Sequence, residues 1–491
     1  MTLQVRKILA ALFAAVLCWG SFGVTAREAP IKAAAIGQSG PFLVGRFTSA
    51  LDDRSSRFDV GHASSAAMAD RYVPVLEERS NFGYTRGARW LRFSIDPDGG
   101  AARLLLEVAM PSLDQVDLYI PLRGGGYEVL HAGDQLPWSA RPVAHRNHVF
   151  PLDLRAGVAV TYYLRVKSDS VLTVPLLLWR ESAFAANERI SQLLLGVFYG
   201  LVAALFLYNF FVYLSLRDPV YLAYVAYIAA FGLALFSNDG LAYEFLWPAS
   251  TWWANHAAAT LLSSGLMLGA IFARLFLDTR RLAPPLDCLL LVVAVFSGAL
   301  AIFAATGWLL NYGEILQSLS FAGAAGALVT LWAAIKVWAQ GYRPARFFLL
   351  AWSALLMFIV LGALRNFALV PTNFATLYGL HIGLALDVIL LSTALADRVR
   401  LLGDEKIAAR NALLDAAHQH QQVLEQRSDE LGIANQELEA FSYTVAHDLR
   451  APLRAISGFS ELVRQESGGR LASSALRDLD QIRHSVTRMA R

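Results

Sequence analysis

One stretch of this sequence combines a nucleophile, a carboxylate and a helix-bending residue. From Phe441 to Leu453 it reads Phe-Ser-Tyr-Thr-Val-Ala-His-Asp-Leu-Arg-Ala-Pro-Leu, so Asp448 follows His447 directly and Pro452 comes one helical turn later. A neutral imidazole is nucleophilic near neutral pH, and an adjacent carboxylate orients the ring and stabilises the charge that develops on it during attack. At ~100° per residue, Val445, Leu449, Pro452, Leu453, Ile456, Phe459 and Val463 form one apolar stripe, with His447 on the opposite face. A core histidine would lie within the stripe, which leaves a reactive exposed imidazole or an ordinary surface one. Pro452 has no amide donor and is expected to bend the helix. Gly468-Gly469 is expected to end it. Leu476, Leu479, Ile482 and Val486 then mark a second amphipathic helix within Leu471–Arg491. Two helices that each bury one stripe pair into a four-helix bundle in a dimer.

The other histidines carry less. His418 and His420 are two apart and point away from each other on a helix, so they read as solvated. His131, His145 and His148 lie in a β-patterned region without a carboxylate or thiol at ligand spacing, and they read as polar surface residues with no metal site.

These residues need elements to place them. The chain has 491 residues, roughly three domains' worth. Hydrophobic residues make up 56% and charged residues 16%, against a usual charged share of about 25%. The balance excludes disorder, a collagen-like repeat and an ordinary soluble enzyme. Lys and Arg total 42 against 39 Asp and Glu, for a net charge of +3, which is too even for a nucleic-acid binder. Cys18 and Cys288 both lie in apolar segments, so no disulfide framework is expected.

Arg6 and Lys7, the apolar run Ile8–Trp19 and the small-residue site Val24-Thr25-Ala26 have the layout of a signal peptide, 1–26, cleaved after Ala26. Period-two patterns follow: Trp90–Ile95 with Leu91, Phe93 and Ile95 on one face, Leu104–Val108, Val116–Ile120, Val160–Val166 and Val171–Trp179. Turn clusters at Asp96–Gly100, Arg123–Gly126 and Arg155–Gly157 separate them. This predicts an all-β sandwich or jelly roll over 27–185, with the Ala- and Ser-rich part of Arg27–Asn81 as partial linker.

A ~30 Å hydrocarbon core needs ~20 apolar residues in a helix. Seven stretches within 190–396 qualify: Ile190–Leu214, Val220–Ser237, Trp253–Leu277, Leu286–Trp308, Ile315–Trp338, Phe347–Leu369 and Phe374–Ala396. Connections after odd-numbered spans carry Arg217, Arg280, Arg281, Lys336, Arg343, Arg346, Arg398 and Arg400, whereas those after even-numbered spans carry Arg365 and little else. The basic side is cytoplasmic, so the β domain is outside, as an export signal also requires. Trp247, Trp252 and Trp253 fall at the outer interface. Within the spans, Asn209, Arg274, His381 and Asp387 need a reason to be there. Arg274 is near the inner end and is expected to snorkel, whereas Asp387 is expected to face the bundle interior. No repeated halves with interrupted helices argue for a transporter. From Asp397 the chain turns charged and Gln-rich. Leu424, Leu431, Leu438 and Val445, with Ala434 and Phe441 in companion positions, make a coiled-coil seam over 397–440 that Arg427 interrupts.

His447 to Leu453, preceded by Phe441-Ser442, resembles the H-box of sensor histidine kinases. The runs Gly196-Val197-Phe198-Tyr199-Gly200, Tyr208-Asn209 and Leu216–Leu222 resemble the first two helices of bacterial seven-transmembrane receptors with diverse intracellular signalling modules. Trp90–Phe93, Gly133-Asp134 and His145-Arg146-Asn147 resemble the extracellular domain of those receptors. The resemblance, spanning about Asn81 to Arg491, implies a multidomain membrane protein: an extracytoplasmic all-β jelly-roll-like sandwich, a seven-helix transmembrane bundle, a cytoplasmic coiled coil and a helical hairpin over 441–491. It implies that His447 is the phosphoacceptor and Asp448 an assisting acid/base, in a homodimer of the bacterial inner membrane. The implied partners are a response-regulator receiver domain and a small extracytoplasmic ligand of carbohydrate-like chemistry, with no nucleic acid. ATP and Mg are implied for an ATP-binding domain that follows the hairpin in such kinases. The sequence stops at Arg491 inside the second hairpin helix, and Gly468-Gly469 is no phosphate cradle, so a fragment is expected. The competing reading is a non-enzymatic seven-helix receptor whose cytoplasmic helices scaffold a signalling partner.

Overall fold

The computed structural model describes residues 29–490 except 38, 86, 99–101, 155–156, 158 and 468. The expected signal peptide 1–26, with Cys18, lies outside the described residues. Two compact units are present, up to Arg398 and from Val399.

The first unit begins with strands β1 (Ile31–Lys32), β2 (Phe42–Leu43), β3 (Ser49–Asp53), β4 (Val73–Pro74), β5 (Ser80–Tyr84), β6 (Ala88–Asp96), β7 (Ala102–Val108) and β8 (Gln115–Pro121). It continues with β9 (Tyr127–Ala132), β10 (His148–Leu154), β11 (Val160–Lys167), β12 (Val171–Val174) and β13 (Leu176–Arg180). One sheet runs β4-β3-β6-β11-β8-β9, with β1 added parallel to β6; the other runs β10-β7-β13-β2. Alternation decides which side chains meet. Leu91, Phe93, Ile95, Leu118, Leu164 and Val166 from the first sheet pack against Leu104, Leu106, Phe150, Leu152, Leu176 and Leu178 from the second. The result is a β-sandwich.

Two sequence expectations need correction here. The Ala- and Ser-rich part of Arg27–Asn81 is not a linker: Ala33 and Ala63 are buried in apolar clusters, and between them β2 pairs with β13 and β3 with β6. The stretch Val171–Trp179 is not one strand. It divides at Pro175, which has no amide to give a ladder, into β12 paired with β5 and β13 paired with β7 and β2.

The outer face of the second sheet is covered rather than wet. Leu105, Val149, Leu177 and Trp179 pack with Ala183 and Phe184 at the start of the next helix. Glu107 is buried on this face, where it accepts hydrogen bonds from Trp179 Nε1 (2.7 Å) and Asn147 Nδ2 (2.5 Å).

Among the described residues, seven helices long and apolar enough to cross a membrane follow: α1 (Glu181–Leu216), α2 (Pro219–Asn238), α3 (Thr251–Phe276), α4 (Pro284–Thr306), α5 (Tyr312–Ala339), α6 (Ala345–Asn366) and α7 (Phe374–Glu466). The last extends well beyond its apolar part. Local signals start and stop them. Asp218 caps α2 by accepting from the Val220 amide, with Pro219 in the first turn. Pro284 opens α4, and Gly307 closes it with φ +63°.

The ends of the helices sort by side. At one side, Tyr243 donates to Leu136 O, Asn255 Nδ2 to Asp134 O (3.3 Å) and Asn81 Nδ2 to Arg365 O (2.6 Å), so the connections after α2 and α6 and the start of α3 touch the β-sandwich. Gly240, at φ +79°, lies against Pro111 and Arg146 O, where any Cβ would come within about 3 Å of both. At the other side, the connections after α1, α3 and α5 carry the basic residues. Arg398 pairs with Asp218 at 2.8 Å there. The sandwich therefore sits on the side opposite the basic loops, as the charge bias predicts.

Candidate functional site

His447 lies on α7 with its side chain mostly exposed, and its Nδ1 is 3.2 Å from Asp448 Oδ1. When Nδ1–H donates to the carboxylate, the lone pair resides on Nε2, which faces water. That is the tautomer a nucleophile needs. Pro452 lies inside the helix. The second hairpin helix, α8 (Ser473–Met489), carries Arg483, whose guanidinium reaches Glu461 at 3.8 Å. Val445, Leu449, Ile456, Phe459 and Val463 are all exposed, as are Leu424, Leu431 and Leu438. An apolar stripe this long marks a contact surface rather than a wetted one.

Within the bundle, each polar residue singled out from sequence has a partner. His381 Nε2 is 2.8 Å from Asp239 Oδ2, which also accepts from Tyr199 at 2.6 Å. Tyr227 donates to Asp387 Oδ2 at 2.9 Å. Asn209 Nδ2 donates to Ser392 Oγ at 3.0 Å. Asp387 faces the interior, as expected. Arg274 does more than snorkel: its guanidinium makes a bidentate pair with Asp287, 2.8 Å at each oxygen, and Thr279 donates to the same carboxylate.

Sequence reasoning missed α2's share of these contacts. Tyr221, Tyr224 and Tyr227 recur every three residues and donate to Leu395 O, Val388 O and Asp387 of α7. That tyrosine spacing was the available signal. Together with Asp218–Arg398 and Asp239–His381, these contacts tie one face of α7 to α2 along the bundle.

A third polar cluster joins the sandwich to the helices. Here the surface reading of His145 and His148 fails, because both are buried, whereas His131 is exposed. His145 is covered by α1, whose Glu188 reaches His145 Nε2 at 2.9 Å while Phe184 packs edge-on against the ring. Asn147 N donates to His145 Nδ1, so the ring is an acceptor on that side. Arg141 donates to His145 O (2.7 Å) and Arg146 O (2.9 Å) and lies over the rings of Trp138 and Tyr243. Burial lowers its pKa to about 10. Burial and the Arg141 charge press His148 well below the usual histidine range, which keeps it neutral. Beside them, burial and the neighbouring Asp114 push the Asp134 carboxyl well above its ordinary value. Among the described residues no group of three or more His, Cys, Asp or Glu is arranged to hold a metal.

Comparison with family models assigns all three regions. Residues 45–180 match the 7TMR-DISM extracellular 2 domain, 191–398 the 7TM diverse intracellular signalling domain, and 437–491 the His Kinase A (phospho-acceptor) domain. No curated protein matches the chain. His447 and Asp448 fall within the phospho-acceptor match, and a domain of that kind dimerises.

The stripe and the wet face make separable demands. Ile456→Glu places a charge in the stripe and should weaken self-association of segment 399–490 at least ~10-fold, about 1.4 kcal/mol. His447→Gln should leave it unchanged. Sedimentation equilibrium reads both, and equal effects would contradict the face assignment.

Proposed function

From the premise that this chain belongs to the seven-transmembrane receptors with diverse intracellular signalling modules, of the sensor histidine kinase kind, we propose that it detects an extracytoplasmic ligand and is phosphorylated on His447. The observation that carries this is the exposed His447 imidazole held by Asp448 inside the phospho-acceptor match.

ATP, bound with Mg by an ATP-binding domain, supplies the γ-phosphoryl group. The chemistry of this chain's own residues is simple. The Nε2 lone pair of His447 forms the N–P bond in line as the bond to the ADP oxygen breaks. Asp448 holds Nδ1–H and offsets the positive charge that grows on the ring. A proton then leaves the ring to the carboxylate or to water, giving the neutral phosphoramidate. In the second half, an aspartate of a response-regulator receiver attacks the phosphorus, the N–P bond breaks, and His447 recovers its proton. The protein works as a homodimer in the bacterial inner membrane, with the β-sandwich in the periplasm.

The ligand is small and of carbohydrate-like chemistry, a reading that rests on family analogy. Tested on the full chain in detergent, a broad sugar panel should contain a compound that raises the melting temperature. A panel without effect removes the carbohydrate class and leaves the sensor role standing.

For His447 the test is radiolabelling of segment 399–490 by Mg-ATP and a histidine-kinase ATP-binding domain added in trans. The label should be lost in acid and survive alkali. His447→Gln should abolish it, and Asp448→Asn should slow it about 10²-fold while helix content is unchanged. Wild-type labelling of His447→Gln would instead favour the scaffold reading.

A further inference from the structure

The polar contacts between α2 and α7 leave acceptors over. Asp387 is fully buried at membrane depth, and one tyrosine hydroxyl is bonded to its Oδ2. Its other oxygen, Oδ1, has no hydrogen-bond partner. Asn209, also fully buried, spends its amide protons on Leu205 O and Ser392 Oγ and leaves its own Oδ1 without a donor. Between them Tyr224 donates to Val388 O at 2.8 Å and lies 3.3 Å from Ser392 Oγ. Tyr227 stacks against Phe272 and Trp352, and Gly269 of α3 lies against its ring edge, where a Cβ would stand 3.2 Å away.

A buried carboxylate with one neutral donor is costly, since a charge away from water is tolerated only when it is paired or otherwise neutralised. An ionisable residue at this depth is by default a functional site. The two surplus atoms of this cluster are both acceptors, and both residues are fully buried. A positively charged guest supplies what is missing.

We propose that Asp387 anchors an intramembrane site for a small monovalent cation, sodium or the proton, at its unpartnered Oδ1 beside the Tyr227 hydroxyl. Occupancy ties α7 to α2; vacancy leaves a bare carboxylate that drives them apart. The titratable groups facing Asp387 are Tyr224 and Tyr227 from α2. From α1 the polar group is the uncharged Asn209, and from α6 the neighbour of Tyr227 is the Trp352 ring. The proposal is independent of phosphotransfer and stands or falls without it.

The test is thermal unfolding of the full chain in lipid nanodiscs. Sodium chloride is titrated against choline chloride at constant ionic strength, and pH is varied in choline alone. Asp387→Asn keeps the shape and the acceptor for Tyr227 while removing the charge. Sodium should raise the wild-type midpoint by about 3 °C at saturation, and Asp387→Asn should lose that shift. If the proton is the guest, sodium does nothing, and acidification raises the wild-type midpoint relative to Asp387→Asn; the His381–Asp239 pair is common to both proteins and cancels. Should Asp387→Asn fail to fold, Tyr227→Phe keeps the ring stack and removes one oxygen. It should move the midpoint for the active cation about tenfold. Identical responses of wild type and variant to both sodium and pH overturn the proposal.

Discussion

Water is absent from the middle of a bilayer, so the polar side chains this chain carries there depend on the bundle itself for partners. That constraint explains why α7 is held as it is. Along one face of α7, partners from α1, α2 and the ends of α2 follow in order from one side of the membrane to the other: Asp239 to His381, with Tyr199 donating to Asp239, then Tyr227 to Asp387, Asn209 and Tyr224 to Ser392, Tyr221 to Leu395 O and Asp218 to Arg398. Apolar packing tolerates sliding by small steps. Directed contacts do not, and they give the helix a discrete register. The same chain segment later carries His447, so the register of α7 is the natural quantity for a signal to alter.

The outer end of this arrangement is tied to the sandwich. Glu188 of α1 meets His145, Tyr243 meets Leu136 and Arg141, and Asp239 lies one residue from Gly240, which touches Pro111. A ligand that shifts the β7–β8 and β9–β10 connections, which carry these residues, changes the positions of α1 and of the α2–α3 connection directly. No long pathway is required, because the sandwich and the helix ends share side-chain contacts.

Much of this was legible in the sequence, for reasons that differ by element. The spans declare themselves by length and apolarity, and β6, β7, β8 and β11 by alternation, because in each case one local physical demand fixes the pattern. The hairpin stripe, with His447 opposite it, follows from helical periodicity alone. Strands β1 to β5 were obscure because they are short, at two to five residues, so their pairing is decided by distant partners such as β6 and β13. His145 and His148 looked like surface residues because residue type cannot report burial by distant elements, such as α1 over His145. The Asp387–Tyr227 contact joins residues 160 apart in sequence. The tyrosine spacing on α2 hinted that one face was special without naming what it met.

The account depends on the membrane separating the sandwich from His447, with seven crossings between them. Fusing a reporter that is active only after export at Gly157 and at Gly432 measures this directly in intact cells. The Gly157 fusion should be active and the Gly432 fusion silent. An inactive reporter at Gly157 paired with an active one at Gly432 would contradict the topology and, with it, the separation of sensing from phosphorylation.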